Sequence, residues 1–66
     1  MEKGIAQAIY RLRKSHNLTQ EEFGKKLGYA QRTVSDWEKG YTEPNVEAIR
    51  KIKTTFDISY EELLDD

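Results

Sequence analysis

Residues 19–40 read TQEEFGKKLGYAQRTVSDWEKG, and the fold turns on them. Thr19 followed by Glu22 has the form of a reciprocal helix cap: the threonine oxygen accepts from the backbone three residues on, and the glutamate reaches back. A helix therefore starts at about Gln20, carries Phe23 and Leu27 inward and stops at Gly28. A further helix runs from about Gln31 to Lys39 and ends at Gly40, with Val34 and Trp37 one turn apart on its inner face. At 100° per residue, Arg32, Ser35, Asp36 and Lys39 point nearly opposite that pair, with Gln31 at their flank. Glu38 falls within about 40° of Val34 on the same wheel. It borders the core, where a carboxylate needs a basic partner.

Working outward, Ile5, Ala8, Ile9 and Leu12 form a helical stripe and not a strand alternation. That first helix ends near His16, and Asn17 suits the stop because asparagine tolerates the left-handed conformation. After Tyr41, Thr42 and Glu43, Pro44 suits a helix start, and Val46, Ile49, Ile52 and Phe56 make a fourth stripe. Ser59 and Glu62 repeat the reciprocal cap and open a short fifth helix carrying Leu63 and Leu64. Asp65 and Asp66 are expected to fray. The pattern predicts an all-α, compact five-helix domain spanning residues 1–66, with no strand, repeat, low-complexity tract or linker.

A chain of 66 residues buries only about 60% of the surface its unfolded form exposes, so its stability margin is thin. Zero cysteine and a single histidine, His16, remove disulfides and a structural metal as compensation. Helix packing and self-association remain. No apolar run exceeds Ala8-Ile9-Tyr10, so the chain shows neither a signal-peptide core nor a membrane span and is expected to be cytoplasmic. The net charge of −1 hides a gradient. Residues 1–32 hold seven bases against three acids, a net +4, and residues 33–66 hold four bases against nine acids, a net −5. A basic front suits a polyanion, although the same pattern also describes ordinary solvated surface.

Two short helices joined by a glycine-containing turn, the second with a polar outer face, have the form of a helix-turn-helix over about residues 20–39. Gly24 sits where the helices cross and Gly28 in the turn, with Phe23, Leu27, Tyr29, Val34 and Trp37 inward. The same geometry can be a packing unit of an unrelated bundle. However, LTQEEFGKKLG, TVSDWEKG, the proline before the fourth helix and DISYEELL together resemble the phage Cro/repressor-type (Xre-like) DNA-binding domain over essentially the whole chain. The resemblance implies a lambda-repressor-like five-helix fold whose second and third helices dock on the major groove of double-stranded DNA. It implies a transcriptional regulator, commonly a repressor, that binds a pseudo-palindromic operator as a homodimer with recognition helices about 34 Å apart.

Residue by residue, the resemblance makes Gln20 the glutamine that holds a phosphate and braces Gln31, the first base reader. An amide both donates and accepts, so Gln31 can address adenine N6 and N7. Arg32 would be the second reader, with guanine O6 and N7 as its natural target, and Ser35 and Asp36 occupy the further base-facing positions. Arg13 and Glu38 match the family's partly buried ion pair, in which the arginine also approaches a phosphate. Other phosphate contacts fall to Thr19 at the start of the second helix and to Lys39, Tyr41, Thr42 and Asn45 around the loop that follows the third. Plainer roles stand beside these: Thr19 as a cap, Tyr41 and Thr42 as a solvated turn, Lys39 as a charge favourable to its own helix end.

Three positions depart from the pattern. Ala30 stands where the family usually has Ser or Thr, a lost cap costing about 1 kcal/mol; its methyl could instead meet a thymine methyl. Gly24 replaces the more usual alanine and gives up as much as about 1 kcal/mol of helix propensity. Asp36 faces phosphates, which is unfavourable unless it accepts from cytosine N4 or pairs with Arg32 four residues earlier.

Phe56, Tyr60, Leu63 and Leu64 are candidates for self-association or, equally, for closing the core of one chain. A different class of function is an antitoxin or interaction module that binds DNA together with a protein partner; such proteins commonly carry an extra segment, which this sequence does not show. An enzyme is not expected, and no cofactor or metal is implied, because His16 has no cysteine, second histidine or carboxylate pair with which to build a site. An exposed helix end is the expected place for it.

Overall fold

In the computed structural model, which describes residues 4–64, five helices follow in order: α1 (Ile5–Ser15), α2 (Gln20–Leu27), α3 (Gln31–Lys39), α4 (Val46–Phe56) and α5 (Tyr60–Leu64). No strand occurs among the described residues. Asp65 and Asp66, the expected frayed end, lie outside them.

Local chemistry sets most of these boundaries. Thr19 Oγ1 accepts from the Glu22 amide at 3.0 Å while Glu22 Oε1 accepts from the Thr19 amide at 2.9 Å. Ser59 and Glu62 do the same for α5, at 3.0 and 2.8 Å. Each pair satisfies amides that a helix start leaves unpaired. Gly28 and Gly40 close α2 and α3 in the left-handed region, with φ of 87° and 79°. Asn17, just past the His16 cap of α1, takes φ of 56°, as its position after the first stripe suggested.

The fourth helix corrects two expectations. It starts at Val46 and not at Pro44, because Asn45 is the cap, its side-chain oxygen accepting from the Ala48 amide at 2.8 Å. Val46 is 71% exposed and does not belong to the core stripe. Six residues separate it from Ile52, which turns it about 120° away, whereas Ala48 lies within about 40° of Ile52 and is buried. The helix bounds also refine the charge gradient. Within α4, Arg50, Lys51 and Lys53 outnumber Glu47, so the acidic helix of the second half is α5, with Glu61 and Glu62.

Ile9, Phe23, Val34 and Ile52, one from each of the first four helices, are fully buried, and Leu27, Trp37, Ala8, Ala48 and Leu63 complete the core. Phe56 stacks on Phe23 at 5.1 Å, and Tyr29 meets the edge of Trp37 at 5.2 Å. Aromatic contacts of this kind add stability beyond the area they bury. His16 is exposed at the end of α1 with its ring 4.8 Å from that of Phe56.

Gly24 is the closest approach in the α2–α3 pair. A Cβ there would lie 2.5 Å from the Tyr29 carbonyl oxygen and 3.3 Å from Val34 Cγ2. The Gly24 carbonyl also accepts from the amides of Gly28 and Tyr29, both at 2.8 Å. Glycine is required by the turn itself, so the propensity given up by avoiding alanine is offset by a clash avoided.

Candidate nucleic-acid interface

α3 is anchored on one side by Val34 and Trp37, both buried, and presents Gln31, Arg32 and Lys39 to solvent, with Ser35 and Asp36 half-buried between them. This is the arrangement the helical wheel required. The Arg32 side chain is 85% exposed, with its Nε 3.6 Å from Asp36 Oδ1. That distance is an ion pair too long for a hydrogen bond. Arg32 is thus held by charge yet free to reach outward. Ala30, at the entry to α3, has extended backbone and no side-chain cap.

Behind this face lies a four-residue polar network. Arg13 Nε donates to Glu38 Oε2 at 2.6 Å and Nη2 donates to Oε1 at 3.0 Å, while Nη1 donates to the Leu18 carbonyl at 2.9 Å. Gln20 Nε2 donates to the same Glu38 Oε1 at 3.0 Å. The hydrogen bond to Glu38 raises the Arg13 pKa above the usual arginine value against the opposing effect of burial. The network ties α1, the α1–α2 turn, the start of α2 and the last turn of α3 into one corner. It also gives Gln20 a partner that the sequence did not suggest. Its amide nitrogen serves Glu38, and no hydrogen bond joins Gln20 to Gln31 among the described residues.

The other residues expected at phosphates lie ahead of α2, at Thr19, and from the last turn of α3 to the start of α4, at Lys39, Tyr41, Thr42 and Asn45. Thr19 spends its oxygen on the cap as an acceptor, which leaves its hydroxyl proton to donate. Lys39 lies over the ring of Tyr41 at 5.6 Å, and Tyr41 and Thr42 are exposed. The amides of Tyr41 and Thr42 turn back to the Asp36 carbonyl at 2.9 and 3.4 Å, fixing the loop against α3. Asn45 uses its oxygen as a cap and keeps its NH₂ as a donor. The cap role of Asn45 was missed in the sequence, although asparagine just before an apolar helical run is its ordinary signal. Of the four C-terminal candidates, Leu63 is buried in the core of its own chain and Phe56 and Leu64 pack partly buried against it, leaving Tyr60, 48% exposed, at the surface.

A glycine-jointed helix pair whose second member is apolar inward and polar outward defines a helix-turn-helix domain. The helix-turn-helix family model matches residues 9–63, and the chain belongs to that family, the Cro/C1-type group of DNA-binding transcriptional regulators. It is 36% identical over 56 residues to the HTH-type transcriptional activator BcrR of Enterococcus faecalis, which covers 85% of this chain and 28% of BcrR. It is 35% identical over 60 residues to the antitoxin PezA of Streptococcus pneumoniae, covering 91% of this chain and 38% of PezA. The chain thus spans well under half the length of either relative. Among solved structures, the P22 c2 repressor protein in complex with synthetic operator 9T superposes with a TM-score of 0.85 at 28% identity, covering 97% of each chain. No helix among the described residues is long and apolar enough to cross a membrane.

Proposed function

We propose that this chain binds double-stranded DNA in a sequence-specific way by laying α3 in the major groove, and that it acts as a cytoplasmic transcriptional repressor. The observation that carries the reading is the polar face of α3, where Gln31 and Arg32 stand exposed, with Ser35 and Asp36 half-buried beside them, opposite a core that grips Val34 and Trp37. Gln31 and Arg32 present the bidentate chemistry that adenine and guanine edges accept. Arg13, Thr19, Gln20, Lys39, Tyr41, Thr42 and Asn45 surround that face with donors suited to phosphate. Repression is supported by the superposition on the P22 c2 repressor. No catalytic step enters this reading.

One α3 reads few bases, so the chain works as a homodimer on an inverted repeat, with Tyr60 the exposed member of the apolar C-terminal group and Leu64, partly buried against the core, beside it. The likeness to PezA supports a second reading, an antitoxin that engages DNA together with a protein partner. Selection from a random duplex library separates the two. An enriched inverted repeat with half-sites about one helical turn apart supports the dimeric regulator. Enrichment of a single half-site sinks the dimer, and no enrichment by the purified chain shifts the weight to the partner-dependent module.

A further inference from the structure

Beside Arg13, α1 carries two side chains that the reading above leaves unused, Tyr10 and Lys14. Tyr10 is 45% exposed, and the Arg13 guanidinium carbon lies 5.4 Å from its ring centroid with the Lys14 ammonium at 6.0 Å. Lys14 is itself exposed. The position of the cluster follows from Arg13, which bonds to Glu38 in the last turn of α3 and to the Leu18 carbonyl just ahead of α2. Glu38 in turn accepts from Gln20, the first residue of α2. Tyr10 and Lys14 therefore stand at the corner where the start of α2 meets the end of α3. The carboxylate at this corner is already spent, since both Glu38 oxygens are bound to Arg13 and one also to Gln20. A half-exposed tyrosine whose ring packs against an exposed lysine and the paired Arg13 can offer a phenolic O–H and an ammonium to a phosphodiester, which accepts hydrogen bonds and carries one negative charge.

We propose that Tyr10 and Lys14 form a backbone clamp on α1, the Tyr10 hydroxyl donating to, and the Lys14 ammonium pairing with, phosphodiester oxygens of duplex DNA beside the start of α2. The clamp rests on the DNA-binding reading and extends the part α1 plays in it from Arg13 alone to two further side chains. It sets register and affinity and carries no base preference, because every sequence offers the same phosphates. Were Tyr10 present only to pack against the lysine stem one turn on, its hydroxyl would have no part in binding.

The test measures wild type, Tyr10→Phe and Lys14→Gln against the duplex that the wild type selects and against an unrelated duplex, across a range of salt, with a thermal melt of each protein. Tyr10→Phe keeps the ring and its cation contacts, so its melt should match the wild type while its affinity for both duplexes falls roughly three- to tenfold. Lys14→Gln should weaken both complexes alike and reduce the slope of log K against log salt by about 0.9, the release of one phosphate's counterion. Wild-type affinity and salt slope in both variants would overturn the clamp and leave the regulator intact. A loss confined to the selected duplex would also overturn it, by making these residues base readers. If the wild type binds no duplex, the DNA reading falls and the clamp with it, an outcome distinct from silent variants of a binding protein.

Discussion

Glu38 in the last turn of α3 grips Arg13 of α1 across 25 residues of sequence, its two carboxylate oxygens 2.6 and 3.0 Å from two guanidinium nitrogens. The fork geometry is the strong form of this pairing, since two parallel bonds fix direction as well as distance. Side-chain exposures of 10% and 7% place both groups almost out of water. Leu18 and Gln20 then satisfy lone pairs and protons that would otherwise be stranded. The pair therefore sets the angle at which α3 leaves the core, and through it where Arg32 and Gln31 point.

Removing one member leaves the other charged and nearly buried. Glu38→Ala should cost about 3 kcal/mol, against a total stability of roughly 3–10 kcal/mol for a chain of this size. The urea midpoint should fall accordingly, and Arg13→Met combined with Glu38→Leu should recover much of the loss. A double variant as weak as the single one would show that the charges are not what the corner depends on.

The same pair should be insensitive to alkali. An arginine whose folded pKa is raised contributes stability that is fully present below its unfolded pKa, already far into the alkaline range, and is lost only as pH rises through the higher folded value. Melting temperature followed from pH 7 to 10 should therefore show no step attributable to Arg13. The difference between wild type and Arg13→Met should stay constant over that range.

Gly24→Ala tests the crossing of α2 and α3. Alanine gains about 1 kcal/mol of helix propensity at an exposed site, but here its methyl would sit 2.5 Å from the Tyr29 carbonyl. Backbone must move, and a net loss of roughly 1–3 kcal/mol is expected in chemical denaturation. A variant more stable than the parent would mean that the turn can open at no cost.

Ala30 offers the opposite experiment. Its backbone, φ −70° and ψ 156°, already has the extended geometry of an N-cap, and only the side-chain acceptor is lacking. Ala30→Ser should raise stability by about 1 kcal/mol. If affinity for the selected duplex falls while stability rises, the alanine methyl belongs to the DNA contact.

The helices were legible where one residue type decides locally. Thr19, Ser59, Gly28 and Gly40 announce their caps and stops, and the Val34–Trp37 spacing orients α3 without tertiary information. Glu38 was legible too, since a carboxylate beside Val34 on the wheel had to find a base. What could not be read was whatever depends on contacts between elements. Val46 joined the apolar stripe on spacing alone, yet three-residue steps drift round the helix and carry it out of the core. Gly24 read as a weak helix former because the Tyr29 carbonyl that forbids a Cβ belongs to the turn. The bond from Gln20 to Glu38 went unread as well, because it joins the start of α2 to the last turn of α3.

In the proposed reading, base preference rests on Arg32 and Asp36 of α3. Arg32→Ala should weaken binding by roughly 1–3 kcal/mol and relax the preference at one base pair in each half-site. Asp36→Asn separates the two roles open to the carboxylate, whose Oδ1 lies 3.6 Å from Arg32 Nε. If Asp36 accepts from cytosine, the variant loses preference at a base pair of its own, distinct from that of Arg32. Should Asp36 instead orient the guanidinium, the lost preference falls on the Arg32 base pair, and adding Asp36→Asn to Arg32→Ala costs nothing further, the signature of two residues acting as one. Either way, removing the acid lifts repulsion from phosphates of any sequence, so affinity for unrelated duplexes should rise and the ratio of specific to nonspecific binding should fall. An unchanged ratio would show that the carboxylate on this face does not contribute to discrimination.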